Sequence, residues 1–213
     1  MANICTTTIF VEGKQNSIDK LETLFGETAE NKNNLNDETA KNNWVGNLLL
    51  NAKLNPNEYD IDRAFISGYA DSYHTFCVLM ESAWEEKMDA MNAVFHSVDP
   101  KLKPVYFAEE SGLEYYVSND TGNKYFGDYY VEVIEDDYKL AKETGSLEIV
   151  RETLGEDTTF FTARELKSTL AKLLNDPFTK LDKMIEQIDE CEVWDPEETG
   201  LYLSIHKIEK VEK

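Results

Sequence analysis

From Ile4 to Val11 the side chains alternate, with Cys5, Thr7, Ile9 and Val11 on one side and Ile4, Thr6, Thr8 and Phe10 on the other. A β-branched run of period two that stops at Gly13 predicts a strand whose Ile9/Val11 face turns to the core. The period then lengthens. Ile18, Leu21, Leu24 and Phe25 recur at helical spacing behind Ser17, which stands at the N-cap position, and Gly26 ends the run. Residues 27–43 are polar, with no apolar period beyond Leu35, and read as a solvated connection or a weakly helical insert. Trp44, Val45, Leu48, Leu49 and Leu54 restore helical spacing up to Pro56. Two strands, Phe65–Gly68 and Thr75–Met80, follow around a turn region at 69–74. A helix over Glu85–Ser97 carries Met88, Met91, Val94 and Phe95 as its stripe, and a strand opens at Val105.

That order, β-α-insert-β-β-α-β, is what an α+β ferredoxin-like split βαβ sandwich requires: an antiparallel sheet with helices on one face. Further on, Leu113–Ser118 and Tyr125–Ile134 flank Asn119-Asp120-Thr121-Gly122, a turn signal that predicts an extra hairpin. Residues 135–148 read as a surface helix or loop, and Phe160-Phe161 as a short strand. Thr162 and Glu165 form a capping-box pattern ahead of a helix with Leu166, Leu170, Leu173 and Leu174. Asp176-Pro177 predicts the start of another helix carrying Phe178, Leu181, Met184, Ile185 and Ile188, and Leu201, Leu203 and Ile205 alternate in a last strand. The expected organisation is a ferredoxin-like domain over 1–134, with a helical insert at about 27–56 and a Tyr-rich hairpin at about 113–134, then a small C-terminal α/β annex over 135–213.

Charge changes the picture. The 213 residues hold 42 acidic and 21 basic side chains, a formal net charge of −21. The excess makes direct binding to a phosphate backbone or an anionic membrane unexpected, and no apolar run reaches the length of a membrane span. Residues 108–148 alone hold 11 acidic and 3 basic side chains. Three widely separated cysteines and no leader pattern suggest reduced thiols and a cytoplasmic setting.

Candidate chemistry is sparse. His74, His96 and His206 fall in different elements, and His74 with Cys77 is a single loose pair, so neither a metal centre nor a cofactor site is expected. Asp120-Thr121-Gly122 matches the aspartic-protease tripeptide, but its polar flanks favour a plain turn. Glu109, Glu110 and Glu114 are the carboxylates with most local structure, yet no nucleophile or phosphate-loop signature accompanies them, and no catalytic residue is assigned. Tyrosine is more informative: Tyr115, Tyr116, Tyr125, Tyr129 and Tyr130 crowd one segment, followed by Glu135, Asp136 and Asp137. These eight residues are the candidate binding surface, since Tyr offers large contact area with a polar tip. The competing reading packs the tyrosines into the core and leaves the acids to solvent.

Met1-Ala2-Asn3-Ile4-Cys5-Thr6-Thr7-Thr8, Glu81-Ser82-Ala83-Trp84, Phe107-Ala108-Glu109-Glu110-Ser111-Gly112 and Asn119-Asp120-Thr121-Gly122-Asn123-Lys124-Tyr125-Phe126 resemble the YubB-type ferredoxin-like family. Two positions depart from its pattern: Glu85 and Glu86 follow Trp84, and Ser111 precedes Gly112, where that family often has proline. The resemblance covers roughly residues 1–134 and implies a protein borne by phages, plasmids or conjugative elements, with no active site to carry over. The resulting expectation is a non-enzymatic acidic interaction protein of a bacterial mobile element that binds a protein with a basic surface. The competing readings are a nucleic-acid mimic directed at a defence system and a carboxylate-dependent enzyme without a signature.

Overall fold

The structure, a computed structural model, describes residues 3–30, 43–155, 158–191 and 194–212, with the side chains of Thr158 and Thr159 left aside. Most of the polar stretch expected to form an insert, residues 31–42, lies outside that description. The chain divides into two compact units, one of Met1–Asn119 with Val211–Lys213 and one of Asp120–Lys210. The division falls between Asn119 and Asp120, upstream of the 134/135 boundary expected from the sequence.

In the first unit the order is β1 (Ile4–Glu12), α1 (Gln15–Glu30), α2 (Val45–Asn51), β2 (Phe65–Ser72), β3 (Thr75–Ala83), α3 (Met88–Val98), β4 (Lys103–Glu110) and β5 (Tyr115–Ser118). The strands lie in the order β2-β3-β1-β4-β5, each antiparallel to its neighbours. Thus β1 and β2 run the same way with β3 between them, and β3 and β4 run the same way with β1 between them. This is the split βαβ arrangement of a ferredoxin-like sandwich. Cys5, Thr7, Ile9 and Val11 are all buried on one face of β1, as the alternation requires, and pack with Ile18, Leu21 and Phe25 of α1 and Met91, Val94 and Phe95 of α3.

Local differences have local causes. Ser17 is inside α1 and not its cap; its hydroxyl donates to Asp99 Oδ2 at 2.8 Å, which locks the first turn to the end of α3. The helix continues past Gly26 to Glu30, because Phe25 and Thr28 are still buried there. At the β2–β3 corner the strands run on to a tight Tyr73-His74 turn, with His74 in the left-handed region at φ 64°. Helix α3 starts at Met88, later than the periodicity predicts, because Trp84 at φ 72° breaks the strand and Ser82 Oγ holds the Glu85 carbonyl at 2.7 Å.

In the second unit the order is β6 (Tyr129–Glu135), α4 (Tyr138–Thr144), α5 (Ser146–Leu154), β7 (Thr158–Phe161), α6 (Ala163–Leu173), α7 (Leu181–Asp189), α8 (Pro196–Thr199), β8 (Leu201–Lys207) and a two-residue β9 (Glu209–Lys210). An antiparallel sheet β7-β6-β8 packs one face, Tyr129, Val131, Leu203 and Ile205, against Leu166 and Leu170 of α6 and Met184 and Ile188 of α7. The capping box of Thr162 and Glu165 forms as its spacing predicts. Gly127 has no room for a side chain: a Cβ there would stand 2.2 Å from the Phe161 carbonyl oxygen.

Two expectations fail in this region. Tyr115–Ser118 and Tyr129–Glu135 do not form a hairpin: the first pairs with β4, the second with β7 and β8. The reason is the buried Asp120 carboxylate, whose Oδ2 accepts the N–H groups of Tyr125 at 2.6 Å and Phe126 at 2.9 Å and coils the connection on itself. Asp176-Pro177 opens a turn instead of a helix: Asp176 Oδ1 accepts from Phe178 and Thr179, α7 begins at Leu181, and Phe178 is left 92% exposed.

Candidate functional site

The five tyrosines do not make one exposed surface. Tyr115 and Tyr116 belong to the first unit, while Tyr125, Tyr129 and Tyr130 belong to the second. Tyr116, Tyr129 and Tyr130 are buried, and Tyr125 is half-buried with the Lys124 ammonium 5.2 Å from its ring centroid. Asp120-Thr121-Gly122 is the turn already described. Burial alone would raise the Asp120 carboxyl, but backbone N–H groups of Phe126, Tyr125 and Lys124 hold it below the ordinary carboxylate range.

Glu135, Asp136 and Asp137 stand exposed where β6 gives way to α4. Their backbone is fixed: the N–H groups of Asp136 and Asp137 donate to the Gly200 carbonyl at 3.1 and 3.0 Å. Gly200, at φ 74°, lies so close beneath them that a Cβ would stand 2.4 Å from the Asp137 carbonyl oxygen. Asp137 itself caps α4, accepting from the Lys139 and Leu140 N–H groups, and Glu135 lies 3.8 Å from the Arg151 guanidinium. What the sequence reading missed is the apolar company of this run. Ile134 is 48% exposed, Tyr138 54%, and Tyr202, opposite Ile134 on β8, 38%.

The same sheet face continues inward from that corner. Glu132 is paired with Ser204 and Tyr130 with His206, so the four side chains share one face of β6 and β8. Ser204 Oγ lies 2.7 Å from His206 Nε2, Glu132 Oε2 lies 3.6 Å from the same nitrogen, and the Tyr130 hydroxyl donates to Glu132 Oε1 at 3.4 Å. A Ser-x-His spacing inside an alternating strand was the signal for this group.

In the first unit the carboxylates singled out from the sequence do not converge. Glu109 and Glu110 are consecutive on β4 and point to opposite faces, and Glu114 is exposed in the left-handed region. Glu110 is only 5% exposed; its Oε1 accepts the Gly112 N–H at 3.2 Å, and its Oε2 has no hydrogen-bond partner among the described residues. The better-formed group is one the sequence did not suggest. Glu86 accepts from the hydroxyls of Tyr106, at 3.2 Å, and Tyr115. Burial, reinforced by the Glu86 carboxylate, pushes both phenols well above the ordinary tyrosine range. Beside Glu86 a cavity of about 150 Å³ is lined by Asp60, Glu85, Lys87 and Asp89, with the buried Lys87 ammonium bonded to Asp60 at 2.8 Å and Glu85 at 3.4 Å.

His74 Nδ1 and His96 Nε2 each meet a backbone carbonyl, of Gly13 and Leu102, at 3.2 Å. Among the described residues no cluster of three or more His, Cys, Asp or Glu side chains is arranged to hold a metal ion, and no helix is long and apolar enough to cross a membrane. No protein-family model matches the chain, and neither does any curated protein.

Proposed function

We propose that the protein is an acidic docking protein that binds a protein partner whose surface joins basic and apolar side chains. The observation that supports this reading is the corner of the second unit where the exposed Glu135 and Asp136 lie along the chain between the exposed Ile134, paired with Tyr202 across the ladder, and the exposed Tyr138. Carboxylates that serve solubility alone need no such neighbours. Tyr and apolar anchors ringed by charge are what a protein interface uses for affinity and for orientation, respectively. The interleaving also suits a protein surface better than mimicry of a phosphate row. The mobile-element setting implied by the YubB-type resemblance, and the cytoplasmic setting expected from the cysteines, belong to the same proposal.

The test compares affinity capture from the native host by the wild-type chain and by a variant carrying Glu135→Gln, Asp136→Asn and Tyr138→Ala. Asp137 is left intact because it caps α4. The expected result is a basic partner lost by the variant, whose affinity for the wild type falls at least tenfold between about 50 and about 300 mM salt. A partner captured equally by both chains, or indifferent to salt, overturns the reading.

A further inference from the structure

The geometry points to Ser204 as a nucleophilic serine for acyl transfer, with His206 as its general base. This inference goes beyond the docking reading, although both draw on Ile134 and Tyr202, and its test needs no partner. A serine hydroxyl is a poor nucleophile unless a base lies within hydrogen-bond reach. Here the two-residue spacing on β8 sets both side chains on one face, and Ser204 Oγ lies 2.7 Å from His206 Nε2. Both are half-buried, shielded from bulk water yet reachable. Across the ladder, Glu132 Oε2 stands 3.6 Å from the same nitrogen, where positive charge develops once the imidazole takes the serine proton. The Tyr130 hydroxyl, 3.4 Å from Glu132 Oε1, steadies that carboxylate.

In serine hydrolases the acid meets the opposite ring nitrogen and sets the tautomer. Glu132 instead shares Nε2 with the serine, so its part is to stabilise the imidazolium. The next pair along the face, Ile134 and Tyr202, is exposed and offers apolar ground for a small acyl group. The substrate class is therefore an activated ester with a short apolar acyl chain. Ser204 Oγ attacks the carbonyl carbon as His206 takes the hydroxyl proton; the ester C–O bond breaks, and the departing alcohol receives that proton. Water then attacks the acyl-serine with His206 again as base, releasing the carboxylic acid and restoring the hydroxyl.

The experiment treats the full chain with a fluorophosphonate probe and with p-nitrophenyl acetate, and locates the adduct by peptide mass spectrometry. The expected result is a single adduct on Ser204, absent from Ser204→Ala and formed about a hundredfold more slowly in His206→Gln. Circular dichroism checks that both variants fold. Modification of the wild-type histidines with diethyl pyrocarbonate, expected to suppress the adduct, gives the same answer without a variant. No adduct on Ser204, or one that forms as fast in His206→Gln, in the diethyl pyrocarbonate-treated chain or in the denatured chain, overturns the inference.

Discussion

Asp120 accepts the backbone N–H of Phe126 at 2.9 Å through the same carboxylate oxygen that takes the Tyr125 N–H at 2.6 Å. Lys210 closes the loop from the other side, its ammonium donating to the carbonyls of Asp120 at 2.9 Å and Gly127 at 2.7 Å. Removing the carboxylate leaves buried N–H groups unpaired, so Asp120→Ala should cost the second unit about 1–3 kcal/mol in urea unfolding at pH 7. Because the folded carboxyl titrates below its ordinary 3.8, its stabilisation is present above that value and disappears as pH falls through the folded value. The gap between wild type and Asp120→Ala should therefore close below about pH 4. A gap independent of pH would remove the ionised carboxylate from the account.

Tyr106 and Tyr115 should stay silent in an ultraviolet titration well past the ordinary tyrosine value of 10.0. Their folded values are raised, so the stabilisation is complete below that value and is lost as pH rises through the folded range. Alkaline unfolding of the first unit should therefore coincide with their ionisation. Glu86→Gln should bring both titrations down without normalising them, since burial is the larger cause in each. Two phenols that titrate near 10 in the native wild type would contradict the arrangement.

Gly127→Ala should destabilise the second unit by about 1–3 kcal/mol, because the methyl can be placed only by moving the Phe161 backbone. Equilibrium denaturation measures the cost. An unchanged midpoint would mean that the close approach of the two backbones is not needed.

Cys5 should resist a thiol reagent such as dithionitrobenzoate in the native protein and react only on denaturation, whereas the half-buried Cys77 and Cys191 should react without it. Burial pushes the Cys5 thiol up to about 11, with a partial offset from Thr7, so little thiolate exists at neutral pH. Three thiols reacting at one rate in the native chain would refute this.

The first unit was largely legible because its signals are local and agree with one another. Alternation in β1 and the Met88-Met91-Val94-Phe95 stripe each name a buried face, and the order of elements leaves little choice of topology. What escaped was decided by single side chains acting across distance. Ser17 has the chemistry of a cap, but Asp99, far along the chain, claims its hydroxyl. Asn119-Asp120-Thr121-Gly122 has the composition of a hairpin turn, and only the buried Asp120 carboxylate shows that the chain coils there and enters another sheet. At the candidate sites the acids were legible and their surroundings were not. The exposure of Ile134 and Tyr138 depends on where a sheet ends, and the Ser204–Glu132 pairing on a strand register that composition does not encode.

The chain leaves the first unit after Asn119 and re-enters it at Val211, whose N–H donates to the Ser118 carbonyl at 3.0 Å. Within the second unit, the first and last residues are tied by the bond from Lys210 Nζ to the Asp120 carbonyl. A segment whose two ends are tied together in this way has the layout of an insertion, entering and leaving its host chain at one place. The acidic corner and the serine–histidine pair both lie inside that one continuous segment, so a single stretch of chain carries both candidate sites.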